Sequence, residues 1–116
     1  MALKVYGLKK CSTCQKALAW LDEHKKPYSF SDVKEEPLKK QQVAQWSKAV
    51  GGWEKLINRA GYTWRGLPAS ETKDLTEAKA VALAVANPSL IRRPLIEYRD
   101  GSVTVGFSDK VRKELA

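Results

Sequence analysis

Metal ligands are scarce in this sequence: of 116 residues, two are cysteine and one is histidine. A single C-x-x-C pair with His24 falls short of a tetrahedral zinc site, so no metal is expected. Long apolar runs are missing too. The longest, Ala80 to Ala86, is far too short to cross a bilayer, which takes about 20 apolar residues. The opening residues, Met1-Ala2-Leu3-Lys4-Val5-Tyr6, pass directly into a strand pattern without the basic segment, apolar stretch and cleavage site of a secretory leader. The expectation is a cytoplasmic chain with no membrane segment, in a compartment where a structural disulfide is uncommon. There is no glycine-rich phosphate loop, no internal repeat and no low-complexity linker.

What is present describes one globular domain spanning 1–116, long enough to bury a core without staples. The formal net charge of +8 raises the question of nucleic acid. The lysines, however, are scattered, and pairs such as Lys25-Lys26 and Lys39-Lys40 fall on solvent faces, so the charge reads as solubility. It would also draw anions towards an exposed thiolate. The acidic pairs Asp22-Glu23 and Glu35-Glu36 read as solvated faces and His24 as a surface residue near a helix end.

Leu3 to Tyr6 reads as a short strand ended by Gly7, and the cysteine turn follows. Ser12 with Gln15 three residues on resembles a capping box, giving a helix from about Ser12 to Lys25 that Pro27 stops. Its apolar positions Cys14, Ala17, Leu18 and Leu21 recur at i, i+3, i+4 and i+7, so Cys14 points inward and Cys11 is more exposed. Tyr28 to Ser31 alternates as a second strand, parallel to the first through the helical crossover.

A second helix is expected from Pro37 to Val50 with Gly51-Gly52 ending it, then a short one from Trp53 to Asn58 and a loop from Arg59 to Pro68. A helix from about Asp74 to Ala86 is expected to face inward through Leu75, Ala78, Ala82 and Val85. Leu90 to Tyr98 leads into a strand, Asp100-Gly101 signals a hairpin, and Val103, Val105 and Phe107 alternate on the returning strand. A helix capped by Ser108 or Asp109 closes the chain. A strand-helix-strand half joined to a strand-strand-helix half is the α/β arrangement of the thioredoxin-like fold, here with a helical insertion between the halves at about 37–88.

The C-x-x-C pair sits where that fold brings a strand to the head of a helix. Aligned peptide dipoles place about +0.5 charge at that end, which favours a thiolate over a thiol. A thiol of pKa about 8.5 is only about 3% ionised at pH 7, whereas one of about 6 is about 90% ionised. Cys11, preceded by Lys9 and Lys10, whose charges are expected to support its thiolate as well, is the candidate nucleophile. Two roles stand open for Cys14: a resolving thiol that displaces the adduct from Cys11, or a small buried residue, with glutathione resolving the adduct.

Four stretches carry a family resemblance. Gly7-x-x-x-Cys11-x-x-Cys14, then Leu56-Ile57-Asn58-Arg59 with Thr63-Trp64-Arg65-Gly66-Leu67, then Asn87-Pro88-x-x-Ile91-Arg92-Arg93-Pro94, and Val105-Gly106-Phe107-Ser108 together resemble the arsenate reductase (ArsC) family, above all its YffB-like branch. The transcription regulator Spx is similar as well. The resemblance implies a thioredoxin-like fold, a nucleophilic cysteine, an Arg93 that contacts the oxyanion or substrate, and a cis Pro94 beside the thiol; read without it, Pro94 is a strand-start proline on a sheet edge. It further implies a thiol-dependent, glutathione-linked reductase acting on a disulfide or oxyanion, with glutaredoxin as a candidate partner and no bound cofactor. Cys11 and Cys14 are then the catalytic candidates, and Lys10, Arg59, Arg93 and Pro94 the substrate-binding ones.

Glutathione carries carboxylates that arginines clamp through paired hydrogen bonds. Arg65 and Arg92 read as surface residues beside that role. Where glutaredoxin-linked arsenate reductases carry an arginine shortly before the last helix, this chain has Gly106-Phe107, and their middle arginine falls at Asn58 or, one residue on, at Arg59. Only Arg93 transfers cleanly, which weighs against arsenate itself as substrate. The alternative readings are an Spx-like redox-sensing regulator that binds RNA polymerase and a true arsenate reductase.

Overall fold

The computed structural model describes residues 3–115, so the leaderless reading of the first residues rests partly on Met1 and Ala2, which lie outside that range. The chain forms two compact units: Pro37–Arg92, and the sequence on either side of it.

The flanking unit holds a four-stranded sheet in the order β2-β1-β3-β4. Strand β1 is Leu3–Gly7, helix α1 Ser12–Glu23 and strand β2 Tyr28–Asp32. Strands β1 and β2 pair in parallel, with Leu3 opposite Tyr28 and Gly7 opposite Asp32, as a helical crossover requires. Strand β3, Leu95–Glu97, runs antiparallel to β1, and β4, Val103–Val105, antiparallel to β3. The Asp100-Gly101 turn joins them, with Gly101 at φ 88 and the Asp100 carboxylate accepting from the Ser102 amide at 2.9 Å. Helix α7, Asp109–Leu115, ends the described chain, and its Val111 amide donates to the Ser108 hydroxyl at 3.4 Å. This is the thioredoxin-like topology.

One apolar cluster holds this unit together: Val5 of β1, Leu21 of α1, Ile96 of β3, and Val111 and Leu115 of α7, with Leu3, Leu18, Tyr28, Phe30 and Phe107 packed against it. Helices α1 and α7 therefore share one face of the sheet.

Helix α1 departs from expectation at both ends. Cys11, not Ser12, occupies the cap position, and Gln15 turns its amide back to donate to the Lys9 carbonyl at 2.9 Å, so no Ser12 capping box forms. The other end closes three residues before Pro27 acts on it. Lys25 adopts φ 55, its amide donates to Asp22 O at 3.1 Å, and Lys26 donates to Leu21 O at 2.9 Å. That pair of bonds is a Schellman closure.

The helical unit contains α2 (Lys40–Val50), three single turns α3 (Trp53–Leu56), α4 (Tyr62–Arg65) and α5 (Ala69–Thr72), and α6 (Glu77–Ala86), followed by a 3-10 turn at Pro88–Leu90. Helix α2 begins three residues later than Pro37 suggests. Leu38 and Val43 are both buried, at the spacing of a hydrophobic staple about the cap residue Lys39. The expected loop from Arg59 to Pro68 instead holds α4, one turn entered from Gly61. Helix α6 starts at the Thr76 cap, whose hydroxyl accepts from the Lys79 amide, after Asp74 at φ 52 interrupts the chain. Its buried residues are Ala80, Val81 and Ala84, whereas Ala78 and Ala82 are exposed, which overturns the expected stripe. In a run of small apolar residues every phase looks alike, so the cap sets the phase. Ser47 of α2, fully buried, donates to the Glu77 carboxylate at the start of α6.

Candidate active site

Strand β1 leads out of the sheet into a tight turn, Leu8-Lys9-Lys10-Cys11, closed by the Cys11 amide donating to the Leu8 carbonyl at 3.1 Å. Three side chains fix that turn from outside. The Asp32 carboxylate, at the end of β2, accepts from the Lys9 amide at 2.9 Å and from the Lys34 amide at 2.8 Å. The Lys9 ammonium pairs with Glu35 at 2.8 Å, and Gln15 holds the Lys9 carbonyl. These bonds aim Cys11 at the first turn of α1.

Cys11 is partly exposed and Cys14 is buried, 1% of its surface accessible, as the helical spacing requires. Both are free thiols. Their environments push their pKa values in opposite directions. For Cys11, burial favours the neutral thiol, but the Cys14 amide, the Cys14 thiol and the Arg93 guanidinium together outweigh it, so its pKa lies below the ordinary value. The sulfur closes no full capping bond; the helix acts on it through the nearby Cys14 amide. For Cys14, burial dominates. The Leu8 amide favours its thiolate, the Cys11 sulfur opposes it, and the outcome is a pKa pushed up to about 11. Cys11 is therefore the more acidic of the two and ionises first, with the Cys14 thiol as a donor to its thiolate.

Arg93 reaches this pair from the segment that enters the sheet unit's third strand. It precedes β3 through a cis Arg93-Pro94 bond, and Pro94 is buried, with its carbonyl accepting from the Gly106 amide at 2.9 Å. Because β3 lies between β1 and β4, Pro94 does not start an edge strand.

The structure thus brings Cys11, Cys14, Arg93 and Pro94 into one unit, with Lys10 exposed on the turn beside Cys11. Lys9 is a correction. Expected to support the thiolate, it turns instead to Glu35 and serves the turn. Arg59 belongs to the helical unit, where its guanidinium lies 5.6 Å from the Trp53 ring centroid. Arg65 stacks 6.0 Å from Tyr62 in that same unit. His24 is exposed, hydrogen-bonded to Trp20 O at 2.8 Å and stacked on the Trp20 ring.

Asp32 and Gly7 are the residues that sequence reasoning missed. The signal for both was the parallel register, since pairing the strand ends puts Asp32 opposite Gly7 beside the cysteine turn. Among the described residues, no cluster of three or more His, Cys, Asp or Glu could hold a metal ion. No described helix is long and apolar enough to cross a membrane.

Comparison with known proteins converges on one family. Residues 6–115 match the ArsC family model. A solved YffB protein is 40% identical, with 97% of each chain covered and a TM-score of 0.91. An arsenate reductase-related protein from Brucella melitensis is 39% identical over 98% of this chain and 93% of its own, with a TM-score of 0.78. The global transcriptional regulator Spx of Listeria innocua is 29% identical over 113 residues, 96% of this chain and 85% of Spx.

Proposed function

This chain belongs to the ArsC family, and from that premise we propose that it is a cytoplasmic, glutathione-linked thiol reductase whose nucleophile is Cys11. The observation that carries the reading is the opposite tuning of two neighbouring sulfurs, one lowered beside Arg93 and the other raised to about 11 by burial.

The Cys11 thiolate attacks the glutathione sulfur of a glutathione-containing disulfide. The S–S bond breaks, the departing thiolate takes a proton from water, and Cys11 is left in a mixed disulfide with glutathione. Cys14, which had been donating to the thiolate, now loses its proton to solvent and attacks the Cys11 sulfur. That step expels glutathione as a thiolate and leaves a Cys11–Cys14 disulfide. Two further glutathione molecules reduce it and are themselves oxidised to glutathione disulfide. Glutaredoxin is the proposed protein partner for that last step.

Arg93 stabilises the thiolate, and exposed Lys10 attracts the anionic tripeptide. Pro94 is the proposed contact for the thiol's backbone. Arg59 lies in the helical unit, so its part in substrate binding rests on the sequence alone. Arsenate itself is not the proposed substrate, because Gly106-Phe107 stands where the related enzymes place an arginine.

The test is mass spectrometry of the protein incubated with glutathione disulfide. A glutathione adduct of Cys11, accumulating when Cys14 is changed to Ser, supports the reading; modification confined to Cys14 refutes it. The similarity to Spx favours a second reading, a redox-sensing regulator that binds RNA polymerase. Pull-down of RNA polymerase by the oxidised or reduced protein would support that role, and no association in either state removes it.

A further inference from the structure

Gly7, the last residue of β1, has its backbone held by the β2 side of the sheet. It pairs with Lys9's acceptor Asp32 across the parallel ladder, and its carbonyl accepts from the Val33 amide at 2.9 Å. Its conformation is one that any residue adopts, so nothing in the backbone demands glycine. Space does. A Cβ placed on Gly7 would lie 2.5 Å from the Cys14 Sγ, closer than real side chains approach. The next contacts, the Cys14 Cβ at 3.5 Å and a Phe30 ring carbon at 3.6 Å, are ordinary van der Waals distances. The collision is therefore with one atom, the sulfur.

That sulfur also has a polar neighbour on the same strand end, the Leu8 amide, and it donates to Cys11. The Gly7 Cα and the Leu8 N–H thus form a seat for one sulfur atom, with Cys11 on its open side.

We propose that Gly7 is a positioning residue for the thiol pair: by having no side chain, it seats the Cys14 sulfur at the height from which it can attack Cys11. The inference rests on the proposed resolving role of Cys14. A methyl group at position 7 meets the Cys14 sulfur while β2 holds the end of β1, so the Cys14 side chain rotates out of its seat and loses its line to the Cys11 sulfur. In the resolving step the Cys14 sulfur must approach the Cys11 sulfur along the line of the bond it breaks, while glutathione leaves with the electron pair.

The experiment compares Gly7→Ala with the unaltered protein in buffers of fixed glutathione to glutathione disulfide ratio, reading the fraction of Cys11–Cys14 disulfide by mass spectrometry. The expected result is a shift of about tenfold in the equilibrium towards the dithiol, with prolonged survival of the Cys11–glutathione adduct. An unchanged equilibrium and adduct lifetime overturn the proposal.

Thermal unfolding of Gly7→Ala, Cys14→Ala and the double variant separates a positioning role from general misfolding. With the sulfur gone, the added methyl has room, so the double variant should unfold where Cys14→Ala does even if Gly7→Ala alone fails to fold. If Gly7→Ala destabilises the Cys14→Ala background just as much, the seat is not for the sulfur and the proposal falls. Should the unaltered protein form no Cys11–Cys14 disulfide at any ratio, the resolving role fails instead, and the unfolding comparison still decides whether Gly7 seats the sulfur.

Discussion

The Arg93 guanidinium hydrogen-bonds to the Cys11 sulfur, joining the residue that enters β3 to the residue that caps α1. Charge-assisted bonds of this kind favour the ionised partner, and here the site is only partly screened by water. Replacing Arg93 with Met keeps the bulk and removes both charge and donors. The alkylation rate of Cys11 at pH 6.5 should then fall by about tenfold, the scale of one such bond. Arg93→Lys should lie between, since an ammonium restores the charge but not the fork.

The raised pKa of Cys14 makes the resolving step pH-dependent. While its pKa exceeds the solution pH, the attacking thiolate fraction grows by about tenfold per pH unit. Once Cys11 is in a mixed disulfide, its charge no longer opposes Cys14 ionisation, but burial still does. Stopped-flow release of glutathione from the preformed adduct should accelerate with pH across the neutral range, in contrast to Cys11 alkylation, which levels off earlier.

Asp32 links the cysteine turn to acid stability. Its carboxyl lies below the ordinary range because the Lys9 and Lys34 amides donate to it. A depressed carboxyl stabilises the fold above its unfolded-state pKa, and the contribution fades as pH falls through the folded value. Asp32→Asn should therefore lose stability at pH 7 relative to the parent, with the gap narrowing below about pH 4. Denaturant titrations at pH 7 and pH 3 measure it.

Leu21 is fully buried at the centre of the cluster shared by β1, β3, α1 and α7. Truncation to Ala should cost about 2–5 kcal/mol, the range for a buried leucine that leaves a cavity. Urea unfolding followed by tryptophan fluorescence reads the change.

The cysteine turn, the inward phase of Cys14 and the Asp100-Gly101 hairpin were legible because each rests on local rules: helical period, strand-to-helix junction, turn chemistry. Arg93 and the cis Pro94 became visible through family resemblance, since no local rule connects them with Cys11. The phase of α6 was hidden because Ala80 to Ala86 offers no polar contrast to mark a face. Lys9 was misread because its partner Glu35 lies across a strand register that charge patterns do not reveal. Gly7 looked like a strand terminator; its excluded side chain is apparent only once the Cys14 sulfur is in place.

The central claim is that Cys11 is an activated thiolate, and the most direct measurement is the pH profile of its alkylation by iodoacetamide in the Cys14→Ala protein, with Arg93 intact. Removing Cys14 takes away one donor, leaving the helix terminus and Arg93 to act alone. A midpoint below that of a free thiol in an unfolded peptide of the same sequence is the result the account predicts; a midpoint at or above the peptide's would contradict it.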